Sequence, residues 1–207
     1  MPSTITTTTI DHITLEVPDP AAAERFYEQA FGLGDRIRVR AADGASTSTG
    51  FRGFTLSLVV AGPSTVDGFV ASAVSAGATV VKPAKKSLWG YGGVVQAPDG
   101  ALWKVATSSK KDDGTATRDV DDLVLLLGVA DVKASKKFYV DQGLAVGKSF
   151  GSKYVEFEAD GAPVKLALYG RKALAKDAGV EVEGSGAHRI AIASGEAFTD
   201  PDGFTWE

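Results

Sequence analysis

The 207-residue chain contains no cysteine, one methionine and only two histidines. Without cysteine there can be no disulfide, no thiolate metal site and no thiol nucleophile within the chain. The histidines, His12 and His188, have no nucleophile motif around them, so no Ser-His-Asp arrangement can be assembled from the sequence. No apolar run reaches the length of about eighteen residues that a membrane-spanning helix needs. The opening MPSTITTTT also lacks the basic region and apolar stretch of a secretory signal. A cytoplasmic location with no membrane partner is therefore expected. Charge of one sign is likewise missing: 22 basic against 26 acidic residues give a net charge of -4. That balance supplies no general attraction to phosphate backbones, so no nucleic-acid partner is expected. The glycine-rich LWGYGG is not followed by Lys-Ser or Lys-Thr, which argues against a phosphate loop.

What is present is a duplication. Residues 10–34 read IDHITLEVPDPAAAERFYEQAFGLG, and a blurred second copy, VDDLVLLLGVADVKASKKFYVDQGLAVG, occupies 120–147. In the first copy Ile13, Leu15 and Val17 alternate with His12, Thr14 and Glu16, the period-two pattern of a strand with one apolar face. Asp19 stands at an N-cap position with Pro20 at the first helical position. Ala23, Phe26, Tyr27, Ala30 and Phe31 follow at helical spacing until Gly32. The second copy keeps the Asp131 cap, the Phe138-Tyr139 pair and Gly143. Its strand, 123–127, is apolar throughout, as expected for burial on both faces.

The Thr-rich lead-in over 4–9 reads either as an edge strand or as a frayed end. Strands are expected at 35–40, 46–51 and 54–60, then a helix over 66–76 capped by Thr65 and ended by Gly77. Strands at 79–81, 93–96 and 102–106 close this half, the last two joined by the turn Pro98-Asp99-Gly100. The polar SSKKDDGTATRDVDD then reads as a linker. This gives a domain over 1–108, a linker over 109–119 and a shorter second domain over 120–207. The second half carries extra chain, KYVEFEADGAPVKLALYGRKALAKDAG, read as a longer strand set, and lacks the counterpart of the 66–76 helix.

HITLEVPDPAAAERFYEQAFGLG, the Lys-Pro followed by LWGYGG, and PDG followed by an aromatic and a closing strand together resemble the glyoxalase, bleomycin-resistance and extradiol-dioxygenase superfamily, also called vicinal oxygen chelate. The resemblance spans nearly the whole chain. It implies an α+β fold of tandem βαβββ modules, with mixed sheets curved into a cup and helices on the outer face. It further implies that a small molecule binds in the cup, in many members around one divalent metal.

In metal-using members the ligands are a His on the first strand, a His or similar residue on the paired strand, and Glu on closing strands, a set suited to Zn, Ni, Mn or Fe(II). Carried over residue by residue, the first-strand position falls on His12. The paired position falls on Thr55, which is not a usual metal ligand, and the first closing acid falls on Lys104, which repels a cation. In the second half these positions fall on Val124, near Ala191 and on Glu207. His188 would face the cup only if the register slipped. The candidate metal set is therefore reduced to His12 and Glu207, which favours no cofactor.

Trp89 and Tyr91 are placed by the resemblance at the cup mouth, where flat rings could stack on a ligand. Trp103 and Trp206 fall on the opposite strand face and read as core. Lys82, Lys85, Lys86, Lys110 and Lys111 read as solvated surface. Two functions follow. The first is a glyoxalase/bleomycin-resistance-like protein that binds a small, partly apolar, anionic molecule in a metal-free cup. His12, Thr14, Thr55, Lys104, Trp89 and Tyr91 would contact the ligand. The alternative is a divalent-metal-dependent lyase, isomerase or dioxygenase with His12, Glu16 and Glu207 as catalytic candidates. A scaffold whose cup is filled by its own side chains is a third reading. A homodimer fits the exposed strand edges expected of the shortened second module.

Overall fold

A computed structural model describes residues 8–44, 48–112, 114–159 and 161–207. Most of the Thr-rich lead-in lies outside the described residues. Thr8 donates a hydrogen bond to the Gln142 carbonyl, and Ile10 forms an isolated antiparallel bridge with Val164.

The first half runs β1 (His12–Val17), α1 (Pro20–Ala30), a 3-10 turn (Gly34–Arg36), β2 (Ile37–Ala41), β3 (Ser48–Gly50) and β4 (Phe54–Val59). It continues with α2 (Pro63–Ser75), β5 (Thr79–Ser87), β6 (Gly90–Gln96) and β7 (Leu102–Thr107). The second half runs β8 (Asp122–Val129), α3 (Val132–Asp141), β9 (Val146–Phe150), β10 (Tyr154–Phe157), β11 (Lys165–Gly170) and α4 (Arg171–Ala178). It ends with β12 (Gly184–Gly186), β13 (Ile190–Ala193), β14 (Phe198–Thr199) and β15 (Thr205–Trp206). Both copies of the helix form as their caps dictate: Asp19 accepts from the Ala22 amide, and Asp131 accepts from the amides of Lys133 and Ala134.

The strands of the two halves are interleaved in the sheets. An eight-stranded sheet runs β5-β6-β7-β4-β8-β11-β10-β9, and a five-stranded sheet runs β14-β15-β13-β1-β2. The halves meet at the antiparallel pair β4–β8, where Ser57 opposes Val124, and at β1–β13, where Thr14 opposes Ala191. A short third ladder, β3 with β12, joins them again. The expected α+β, cup-shaped architecture is thus observed, with β4 to β7 and β8 to β11 forming one continuous surface.

Alternation assigns each strand's two faces. Ile13, Leu15 and Val17 of β1, with Leu56 and Leu58 of β4 and Leu123, Leu125 and Leu127 of β8, enter the main core. The Phe-Tyr pair of each copy anchors that core. Tyr27 packs on Trp103 and donates to Asp99 Oδ2 at 2.6 Å, while Tyr139 packs on Trp206 and donates to Asp200 Oδ2 at 2.5 Å. In the second copy the partner is therefore not the aspartate of PDG. Asp202 instead accepts from the Ala130 amide and the Ser135 hydroxyl, tying the closing turn to the start of α3.

Three expectations need correction. α2 begins at Pro63 after an extended Gly62, because proline fits the first helical turn. Thr65 lies inside the helix and its hydroxyl accepts from the Thr117 amide. β5 continues to Ser87, carrying Lys82, Lys85 and Lys86 along a strand paired with β6, with two irregularities in its register. Finally, the tail of the strand-rich insertion, Arg171–Ala178, is the helix α4.

Candidate functional site

The face of the five-stranded sheet opposite the main core carries His12, Thr14 and Glu16. Arg38 and Arg40 lie beside them on β2, and Glu207 follows β15. The Arg40 guanidinium spans this face. It donates to both carboxylate oxygens of Glu207, at 3.0 and 2.8 Å, and to Glu16 Oε1, at 3.2 and 2.8 Å. Those bonds, Glu207's first, hold the Arg40 pKa above the ordinary arginine value. The His12 pKa is lowered, by partial burial first and then by Arg38, while Asp11 and Glu207 pull the other way.

His188 does not enter either cup face. It precedes β13, its Nδ1 lies 2.6 Å from the Arg52 carbonyl oxygen and its Nε2 lies 3.0 Å from that of Asp202, and its ring stacks on Phe204. It is a strand-start histidine that pins the crossing of the two halves.

The eight-stranded face is occupied. Where Leu125, Leu127 and Trp103 turn to the main core, their neighbours Leu126 and Leu102 turn the other way and meet α4. Leu174, Ala175 and Ala178 of α4 pack there with Phe51, forming a second apolar cluster. Burying Leu174 alone is worth about 1.5–3 kcal/mol. Arg171 fixes the start of the helix by donating to the Phe51 carbonyl at 2.8 Å, with its guanidinium 5.2 Å from the Phe51 ring centre. Thr55, in register with Leu126, is only 4% exposed, so this expected ligand contact is closed off in the structure.

At the C-terminal end of α4 the cup opens into a cavity of about 320 Å³. Val59 and Ala106 contribute to its lining, with Lys82, Lys85 and Trp89 around it and Lys104 opposite Asp177. Lys104 Nζ lies 2.7 Å from Asp177 Oδ2. Lys82 Nζ donates to the Asp177 carbonyl at 2.7 Å and to the Lys176 carbonyl at 3.4 Å. Trp89 stands at the tip of the β5–β6 hairpin, 85% exposed. Tyr91 borders the cavity, but its hydroxyl donates to Asp67 of α2 and its ring packs against the main core. That hydrogen bond raises its pKa. Of the residues read as ligand contacts, the structure therefore brings Lys104 and Trp89 to one cavity, directs the Tyr91 ring to the helix side and buries Thr55. His12 and Thr14 belong to the other sheet. Lys82 and Asp177 were missed. Lys82 is followed by proline in the Lys-Pro motif, but the face it takes on β5 depends on the irregular pairing. Asp177 required recognition of α4.

The residues present do not fit the divalent metal that the fold family implies. Among the described residues no three His, Asp or Glu side chains converge. Glu16 and Glu207 are both already paired with Arg40, and a lysine stands at the first closing position.

No family model matches this sequence, and no curated protein matches it. Solved structures do share the fold. Glyoxalase I from Zea mays aligns over 97% of this chain and 91% of its own with a TM-score of 0.64 and 15% identity. A candidate dioxygenase from Bacillus subtilis aligns over 95% and 72%, respectively, with a TM-score of 0.56 and 14% identity. The expected resemblance is thus met at the level of the fold: the chain has the glyoxalase, or vicinal-oxygen-chelate, architecture.

Proposed function

We propose that this chain is a glyoxalase/bleomycin-resistance-like binding protein that takes a small aromatic anion at the open end of its eight-stranded cup, without a metal. The observation that carries the reading is Lys104, which stands where the family's closing acid would be and holds a carboxylate at 2.7 Å inside a 320 Å³ cavity bordered by Trp89. A lysine there attracts an anionic group and repels a metal ion, while an exposed indole gives a flat ring something to stack on. Polar orientation by few groups within a largely apolar lining is the usual character of a small-molecule pocket. The lyase, isomerase or dioxygenase reading would need a ligand set that His12 and Glu207 do not supply. The same proposal puts the protein in the cytoplasm and allows a homodimer, which sedimentation analysis reads directly. Among the described residues no helix is long and apolar enough to cross a membrane.

Isothermal titration with 1-naphthoate and with its neutral counterpart 1-naphthalenemethanol tests the proposal. The acid should bind in preference to the alcohol, and Lys104→Met should weaken the acid about tenfold by removing a charge-assisted hydrogen bond. Equal affinity for the two compounds, or an unchanged affinity in the variant, would remove the proposal. One observation favours a second reading: α4 fills the deep part of the cup with the chain's own side chains. If that makes the protein an association scaffold, neither compound will bind.

A further inference from the structure

Two of the three lysines that line the cavity, Lys82, Lys85 and Lys104, are already engaged by the protein itself. Lys104 pairs with the Asp177 carboxylate, and Lys82 donates to the carbonyls of Lys176 and Asp177. Those groups are the negative end of α4, where the last carbonyls of a helix have no partner within it. Lys82 lies so close along this turn that a Cβ on Gly179 would fall 2.6 Å from its side-chain carbons. Gly179 has φ +83, the left-handed turn with which α4 ends, and Gly170 precedes the helix. The helix is thus bounded by a glycine at each end. In its last turn Ala175 and Ala178 face the apolar cluster with Leu174, while Asp177, between them in sequence, faces the cavity.

We infer that the C-terminal turn of α4 is the resident anion of this pocket and that Asp177 sets its specificity: an incoming carboxylate or sulfonate takes Lys104 in exchange for Asp177, and the last turn of α4 is released. The inference rests on the proposed binding role of the pocket and names its regulation. It explains why two lysines converge on one helix end in a cavity that is otherwise open. It also makes the ligand's charge a requirement. A neutral molecule of the same shape gains only the Trp89 face and the apolar floor, and cannot displace the helix end. Because Asp177 and Lys104 are both partly exposed, at 41% and 34%, the pair is a weak competitor that a ligand can replace.

The test is Asp177→Asn, which preserves shape and removes the competing charge. Titrated with 1-naphthoate, the variant should bind about two- to fivefold tighter than the wild type, the range expected for removing one exposed ion pair, with no gain for 1-naphthalenemethanol. Without ligand, hydrogen exchange in the last turn of α4 should be faster in the variant than in the wild type, while β8 stays unchanged. If the wild type binds the acid and Asp177→Asn binds it equally or more weakly, the exchange is overturned and the pocket reading survives. Unchanged exchange at the last turn of α4 also overturns it. Failure of both proteins to bind overturns the pocket reading and this inference together.

Discussion

Asp200 is 5% exposed and accepts three hydrogen bonds, from the Tyr139 hydroxyl and the amides of Asp202 and Phe204. Burial nevertheless outweighs those bonds and raises its pKa. The folded chain therefore keeps a proton that the unfolded chain has already released. This carboxyl favours the fold at acid pH, and its contribution is lost as pH rises from the ordinary aspartate range through the raised folded value. Asp200→Asn should flatten that part of the stability-pH curve, read as melting temperature from about pH 3.5 upward. A parallel curve in the variant would refute the assignment. At this scale the sequence was legible wherever alternation was clean. The His12, Thr14, Glu16 face followed from Ile13, Leu15 and Val17, and Trp103 and Trp206 proved to be core. Tyr91 was not legible, because Gly90, Gly92 and Gly93 around it carry no side chain to set a pattern. The partner of Tyr139 was hidden too, since both Asp200 and Asp202 stand in the closing turn and only packing distinguishes them.

Among the elements, α4 separates this chain most from an open cup. Its signals were present in the sequence: Leu174, Ala175 and Ala178 on one face, and Gly179 at the stop. They were masked by a strand-rich context and by an apolar face of only three residues. Leu174→Ala should cost about 2–4 kcal/mol, as a fully buried leucine does when a cavity is left behind. A loss below about 1 kcal/mol in chemical denaturation would mean that the helix is not packed as described. The caps of α1 and α3 were readable because an aspartate at the cap is a local signal. The start of α2 was misplaced because Thr65 offers a competing cap, and the choice of Pro63 depends on the path of the segment around Thr117, whose amide Thr65 accepts.

For the whole molecule, duplication predicted the modules but not which module pairs with which. Sheet order depends on contacts far apart in sequence, and β4–β8 and β1–β13 join residues that no local pattern links. The unequal halves have a physical counterpart in this arrangement. Four strands of each half, β4 to β7 and β8 to β11, build the eight-stranded sheet, whereas β1 and β2 of the first half and β13 to β15 of the second share the five-stranded sheet. The extra chain of the second half supplies the helix that covers the larger concave face. The proposed binding site thereby lies at one end of one cup, where Lys82, Lys104, Asp177 and Trp89 line one cavity. The docking of α4 on a sheet shared by both halves is tested most directly by residue-resolved hydrogen exchange on the unliganded protein. The ladder amides of β8 and β4 and those of Ala175 and Ala178 are all expected to be strongly protected, with α4 opening only as its packing against Leu126 and Leu102 is lost. Exchange of α4 at the rate of an exposed loop, with β4 and β8 still protected, would contradict it and leave the cup open.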